Sequence, residues 1–253
     1  MTAQTHKQFA ITWTYLGAIV LYYLNITNIN YYLMLAIMLA IAKVGASFPD
    51  LDHEWKNVKD KTTITWIINK IIHITGGKHR SWQTHSWDIC IYWSISCYFL
   101  SYILFKKGLI SDVNFELLSI ITIGFNLGWA SHLFSDMLTS GGVRIFCFIK
   151  HKVAFVPKSA KRINLILFSL ALIIPGTVIF INKINTGIII IAAGLGILYI
   201  AIRLGNVRFN TGNEWEAFVY RAIKTFNKIL GLTAITYPLI YTWVGELVLE
   251  LIK

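Results

Sequence analysis

The sequence predicts an all-α, polytopic membrane protein, and three observations predict it. First, 56% of its 253 residues are hydrophobic and only 14% are charged, against about 25% charged in an ordinary soluble domain. The mean hydropathy is +0.60. Second, apolar runs recur along the whole chain, at 8–24, 31–48, 87–105, 115–135, 163–182, 187–202 and 230–252. Crossing about 30 Å of hydrocarbon takes roughly 20 residues of helix, so these runs give six or seven transmembrane helices. Third, the basic residues are unevenly placed. Of 23 Lys and Arg, 18 fall in the N-terminus and the loops near 49–86, 136–162 and 203–229. With seven spans those segments share one side of the membrane, and the positive-inside tendency makes that side cytoplasmic.

The elements follow in order. The runs 163–182 and 187–202 are the clearest spans, with no charge inside either. Pro49 ends the second run, because proline lacks the amide donor and biases the preceding residue away from helix. Asp50 to His53 then form an irregular segment at the membrane surface. If that segment is extended, Asp50 and Asp52 point the same way. Residues 64, 67, 68, 71, 72 and 74 are apolar at helical spacing, and Gly76-Gly77 supplies a stop. That stretch is too short to span and predicts an interfacial amphipathic helix.

Composition also excludes some classes. The formal charge of +11 is explained by topology and anionic headgroups, so it calls for no nucleic acid. The N-terminus shows no signal-peptide cleavage pattern. Cys90, Cys97 and Cys147 form neither a metal-type spacing nor a disulfide framework. The chain reads as one integral-membrane domain, 1–253, with a motif-bearing part at 1–220 and a C-terminal helix at 221–253.

Polar chemistry concentrates in "PDLDH" (49–53), "HRSWQTHS" (79–86), "SHLFSDMLTSGG" (131–142) and "TGNEWEAFV" (211–219), with "TH" at 5–6 as a fifth piece. His132 and Asp136 are i and i+4, one turn apart on one helix face. Each piece alone has an ordinary explanation: Asp50 or Asp52 as a cap, His79 and His85 at the interface with Arg80 on lipid phosphate, His6 or Glu216 on a solvated face. All of them, however, fall on the same predicted side. Carboxylates and imidazoles together suit Zn²⁺, or Mn²⁺ and Fe²⁺ where oxygen donors predominate. The segments read as walls of a metal site at the cytoplasmic helix ends. Its candidate ligands are His6, Asp52, His53, His79, His85, His132, Asp136 and Glu216. Asp50 is the candidate general base or a further ligand, and Arg80 the candidate anion-binding group.

These same motifs, in this order, resemble the YdjM-like family of membrane-bound proteins held to be metal-dependent hydrolases. The resemblance covers roughly residues 1–220 and implies that His6, Asp50, Asp52, His53, His79, Arg80, His85, His132, Asp136 and Glu216 form one site. The family's HRGxTHS stands here as HRSWQTHS, one residue longer. A more distant similarity, in ligand order, is to zinc-dependent phospholipase C and the related zinc nucleases. Where that class carries two further histidines this chain has Gly142 and Gly212, which implies one or two metal ions. The expected function is hydrolysis of a phosphoester, such as a phospholipid headgroup, in the inner or plasma membrane, with membrane lipids as partners. The alternatives are a regulator or scaffold with a structural metal, and a transporter. The transporter is disfavoured because its ionisable residues would sit near the bilayer midplane.

Overall fold

The computed structural model describes residues 2–58, 61–139, 141–154 and 212–252. Six α-helices and one very short ladder account for most of these residues. Helix α1 (Ala3–Tyr23) starts where the Thr2 side chain accepts from the Thr5 amide, and α2 (Tyr31–Ser47) where Asn30 accepts from Tyr32 and Leu33. Both side chains satisfy amides that a first helical turn leaves unpaired. After α2 comes a single 3-10 turn, Pro49–Asp52, in place of the irregular segment expected there. Proline fits its first position because no amide is needed there.

Helix α3 (Thr63–Ile74) is closed by a reciprocal cap between Thr62 and Thr65. Gly76 follows with φ +80°, a left-handed conformation that costs glycine little. Helices α4 (Trp87–Lys106) and α5 (Asp112–Met137) come next. A two-residue antiparallel ladder joins β1 (Val143–Arg144) to β2 (Lys152–Val153). The last helix, α6, spans Gly212–Ile252. Two compact units result: Met1–Phe155 with Ile223–Lys253, and Val156–Ala222. The sequence reading treats all of this as one domain.

In the first unit α1, α2 and α4 all pack against α5, and α1 also packs against α2. The α2–α5 contact is nearly backbone on backbone. A Cβ at Gly128 would overlap the Ala42 carbonyl oxygen, and one at Gly45 would overlap that of Phe125. Small residues permit this approach, and in a membrane they are a main source of helix association. The close approach fixes the C-terminal ends of α2 and α5 side by side. Helix α6 joins the same unit through Asn227, which donates to the Gln8 carbonyl and accepts from Thr12 at 2.6 Å. Pro238, inside α6, cannot donate to the carbonyl of Ala234 four residues back. The Tyr31 hydroxyl donates to that carbonyl instead, at 2.7 Å.

Helix α3 turns its apolar stripe outward. Ile64 is 70% exposed and Ile74 82%, with Ile67 and Ile71 between them, while Asn69 is buried. The Asn69 amide donates to the Leu51 and His53 carbonyls at 2.6 and 2.8 Å. Asn69 and the buried Ile72, which packs with Leu51 and Val58, therefore tie α3 to the turn after α2, while Ile64, Ile67, Ile71 and Ile74 are left for another medium.

Among the described residues, three helical segments are long and apolar enough to cross a membrane: Tyr31–Asp52, Trp87–Lys106 and Asp112–Met137. The expected span 8–24 overlaps α1 and the expected span 230–252 falls within α6, and neither helix is among these three. The spans expected at 163–182 and 187–202 lie outside the described residues.

Candidate metal centre

Helices α1 and α4 begin, and α2 and α5 end, at one end of the first unit, and the polar motifs meet there. His6 comes from the first turns of α1, His85 from just before α4, and His132 and Asp136 from the end of α5. Asp50 and Asp52 come from the 3-10 turn after α2. His6, His85, His132, Asp136 and Asp52 are all at most 3% exposed.

The hydrogen bonds of the three buried histidines fix their tautomers. His132 Nδ1 lies 2.7 Å from the Ala46 carbonyl oxygen. A carbonyl only accepts, so Nδ1 carries the proton. His85 Nδ1 lies 3.0 Å from the Asp52 carboxylate and donates for the same reason. His6 Nδ1 meets the Ser135 hydroxyl. That hydroxyl gives its proton to the His132 carbonyl, so it accepts from His6. All three rings therefore turn Nε2 toward a common point.

Asp136 faces that point. His85 Nε2 is 3.4 Å, and His132 Nε2 3.7 Å, from Asp136 Oδ2; His6 Nε2 is 3.7 Å from Oδ1. His132 Nε2 is also 3.8 Å from Asp50 Oδ1. These separations are long for hydrogen bonds, and the buried Nε2 atoms of His85 and His132 have no hydrogen-bond partner. Donors about 2.0–2.2 Å from a tetrahedral zinc ion stand roughly 3.3–3.6 Å apart. The spacing is that of a metal shell, and the residues present fit a metal ion. Without the ion, burial works against charge on His85, but the Asp136 and Asp52 carboxylates outweigh it and push its pKa up to about 9. The carboxylates thus call for a cation at this point.

Asp52 stands behind this shell. It accepts from His85, from Thr84 Oγ1 at 2.8 Å, from the Arg80 amide at 2.8 Å and from His79 Nδ1 at 3.2 Å. Carboxylate–histidine pairs of this kind orient metal ligands and raise their basicity. Asp52 also belongs, with His53 and His79, to a second trio of possible donors. The His53 and His79 rings stack at 3.8 Å, and burial lowers the His79 pKa against the pull of Asp52.

An extended segment would aim Asp50 and Asp52 alike; a 3-10 turn sets residues two apart roughly 240° from one another. Asp50 therefore faces His132 and is 32% exposed, whereas the Asp52 side chain is inaccessible. Arg80 Nη2 reaches Asp136 Oδ1 at 3.1 Å and Nη1 reaches Thr139 at 3.3 Å. Its φ is +59°, an uncommon conformation for a side chain this large and one that clusters at functional sites. Gly141 lies directly against the guanidinium.

Nine of the ten residues expected from sequence thus converge. The tenth, Glu216, is half-buried on α6 in the other compact unit. Thr84, Ser135, Thr139 and the Ala46 carbonyl were not expected. Thr84 stands beside His85 in "QTHS" and Ser135 beside Asp136, so adjacency to a candidate ligand was the available signal for those two.

No curated protein and no solved structure shows significant similarity to the chain. The model of the YdjM inner membrane protein family matches residues 1–208, which carry every element of the convergent site. The helices apolar enough to span a bilayer and the His/Asp cluster at their ends are thus features of a chain that belongs to the YdjM inner membrane protein family.

Proposed function

We propose that the protein is a membrane-embedded metal-dependent hydrolase acting on a phosphoester, most simply a phospholipid headgroup, at the cytoplasmic face. The observation that carries this reading is the convergence of two partnerless buried imidazole nitrogens on Asp136, with the half-exposed Asp50 beside them. His6, His85, His132 and Asp136 would hold the ion, and Asp52, Ser135 and the Ala46 carbonyl would fix the ring orientations. A bound Zn²⁺, Mn²⁺ or Fe²⁺ would supply Lewis acidity toward water and a phosphoryl oxygen. Asp50, on the open side, accepts a proton from attacking water, a contribution typically of about 10²–10⁴ in rate. Arg80 holds Asp136 and places positive charge at the rim.

A lipid substrate is supported by an apolar groove of about 720 Å³, lined by α2, α3, α4 and α5. Phe48 and Leu51, which line it, flank Asp50 in sequence, and a volume of this order is ordinary for a ligand site.

One observation favours the regulator reading. Four donors, all nearly inaccessible, would close a tetrahedral site, as structural zinc sites are closed. Asp50→Asn separates the two. The hydrolase reading expects retained metal and a fall of about 10²–10⁴ in turnover. Metal-loaded wild type that hydrolyses no phosphomonoester, phosphodiester, ester or amide would leave the structural-metal reading standing.

A further inference from the structure

The short β1–β2 ladder holds an arrangement that its own contacts do not explain. Arg144 and Lys152 are direct partners across the β1–β2 pair, which has only one other pair, Val143 with Val153. Side chains directly opposite on a ladder share a face, and like charges there are destabilising. Neither residue has a carboxylate within ion-pair distance among the described residues. The Arg144 Nε is buried without a hydrogen-bond partner, and so is the Nε of Arg80. Two guanidinium donors are thus desolvated and unused, which is costly for a charged group.

The ladder is also attached to the metal-binding end. The Arg144 amide donates to the His85 carbonyl at 3.3 Å, and Ser86 bridges to Arg144. Arg80 lies against Gly141, two residues before the ladder begins. Lys152 is half-buried; burial first, then the Arg80 and Arg144 cations, lower its pKa, against a weaker opposing pull from the Asp136 and Asp52 carboxylates. Three cations are therefore gathered on one rim, with two donors unspent.

We propose that Arg144 and Lys152, with Arg80, form a binding site for a phosphate group beside the metal centre. A phosphoryl oxygen set would accept from the idle guanidinium nitrogens and separate the two opposed charges. Arginine's planar fork suits such an anion, and lysine adds a compact point charge. The inference deepens the hydrolase reading, since it assigns the part of the site that selects a phosphoester over a neutral ester.

The test is binding, read without turnover. Full-length protein in detergent, stripped of metal by a chelator, is titrated with inorganic phosphate at constant ionic strength, and the melting temperature and calorimetric affinity are recorded. Saturable stabilisation is expected in wild type, weakened about tenfold or more in Arg144→Gln and in Lys152→Gln. Arg144→Lys should recover part of the loss, and Lys150→Gln in the same loop should change nothing. Without phosphate, Lys152→Gln should melt no lower than wild type, because it relieves the repulsion. An identical phosphate response in wild type and both glutamine variants would overturn the proposal. Glycerol phosphate and short-chain phosphatidic acid then distinguish the sources. Tighter binding of the lipid assigns a lipid phosphate and equal binding a soluble phosphoester, both upholding the site. Phosphate binding that survives while no substrate is hydrolysed would sink the hydrolase reading and leave this one intact.

Discussion

A buried imidazole whose Nδ1 proton is already committed has only its Nε2 lone pair left to offer, and three such rings face Asp136. Removing two of the donors, with His132→Ala and Asp136→Ala together, should abolish metal occupancy measured by elemental analysis of purified protein. Full occupancy in that double variant would dissolve the assignment. Asp52→Asn should act differently, because Asp52 supports His85 from behind. Metal should still bind, about 10–100-fold more weakly, as for other partners of metal-bound histidines. Proton linkage offers a third check at this scale. The His85 pKa lies above its unfolded value in metal-free protein, so its stabilising contribution is complete below about pH 6.5 and is lost as pH rises through about 9. Metal must displace that proton, so metal affinity should rise with pH over the same window. A flat affinity from pH 6 to 9 would show that His85 is not a ligand. The donor residues themselves were legible in sequence because their side chains are chemically distinctive. Ser135 and the Ala46 carbonyl were not, since only tertiary contact gives an ordinary hydroxyl or carbonyl this task.

At the scale of elements, the site depends on how closely α2 and α5 approach. Gly128→Ala would drive a methyl into the Ala42 carbonyl, and the helices must separate to admit it. The expected result is a lower melting temperature, with metal occupancy falling too, since His132 would move away from Ala46. A variant that melts like wild type would mean the interface is slack. Tyr31→Phe is the contrasting case. It should cost about 1–3 kcal/mol by leaving the Ala234 carbonyl buried and unpaired, while metal occupancy stays unchanged. The α2 and α4 spans were readable from long apolar runs, broken by Lys43 in the one and by Asp88 and three serines in the other, and α3 from its three-and-four spacing. The turn at Pro49–Asp52 was placed correctly by the proline but given the wrong conformation. Proline fixes one dihedral of its own residue and leaves the next three to be set by packing, here by the Asn69 bonds from α3 to the Leu51 and His53 carbonyls.

For the whole molecule, the asymmetry of 18 basic residues against the remainder expects the end that carries the His/Asp cluster to face the cytoplasm. Single cysteines placed in the 49–86 and 136–154 loops, in an otherwise cysteine-free background, should resist an impermeant reagent applied to intact cells. Strong labelling there would move the chemistry to the opposite leaflet. The helical membrane class was legible from composition alone, because hydrocarbon demands long apolar segments whatever they pack against. The convergence of four of the five dispersed motifs was legible only as a shared side, since pairing distances between helix ends depend on crossing geometry that no local pattern encodes.

Helix α3 has a practical consequence for anyone handling the protein. Four of its isoleucines (Ile64, Ile67, Ile71 and Ile74) face outward while its one buried amide grips the turn that carries Asp50 and Asp52. A surfactant that coats those isoleucines poorly would pull on the helix, and through Asn69 the strain would reach the carboxylates. Preparations in a harsh short-chain detergent and in lipid nanodiscs should therefore differ in metal retention during dialysis, although both contain the same folded chain. Exchanging Ile64, Ile71 and Ile74 for glutamine should narrow that difference, because the helix would no longer need a greasy medium to rest in. Loss of metal during purification would then report the solvent chosen for α3, and the remedy would be lipid rather than more metal.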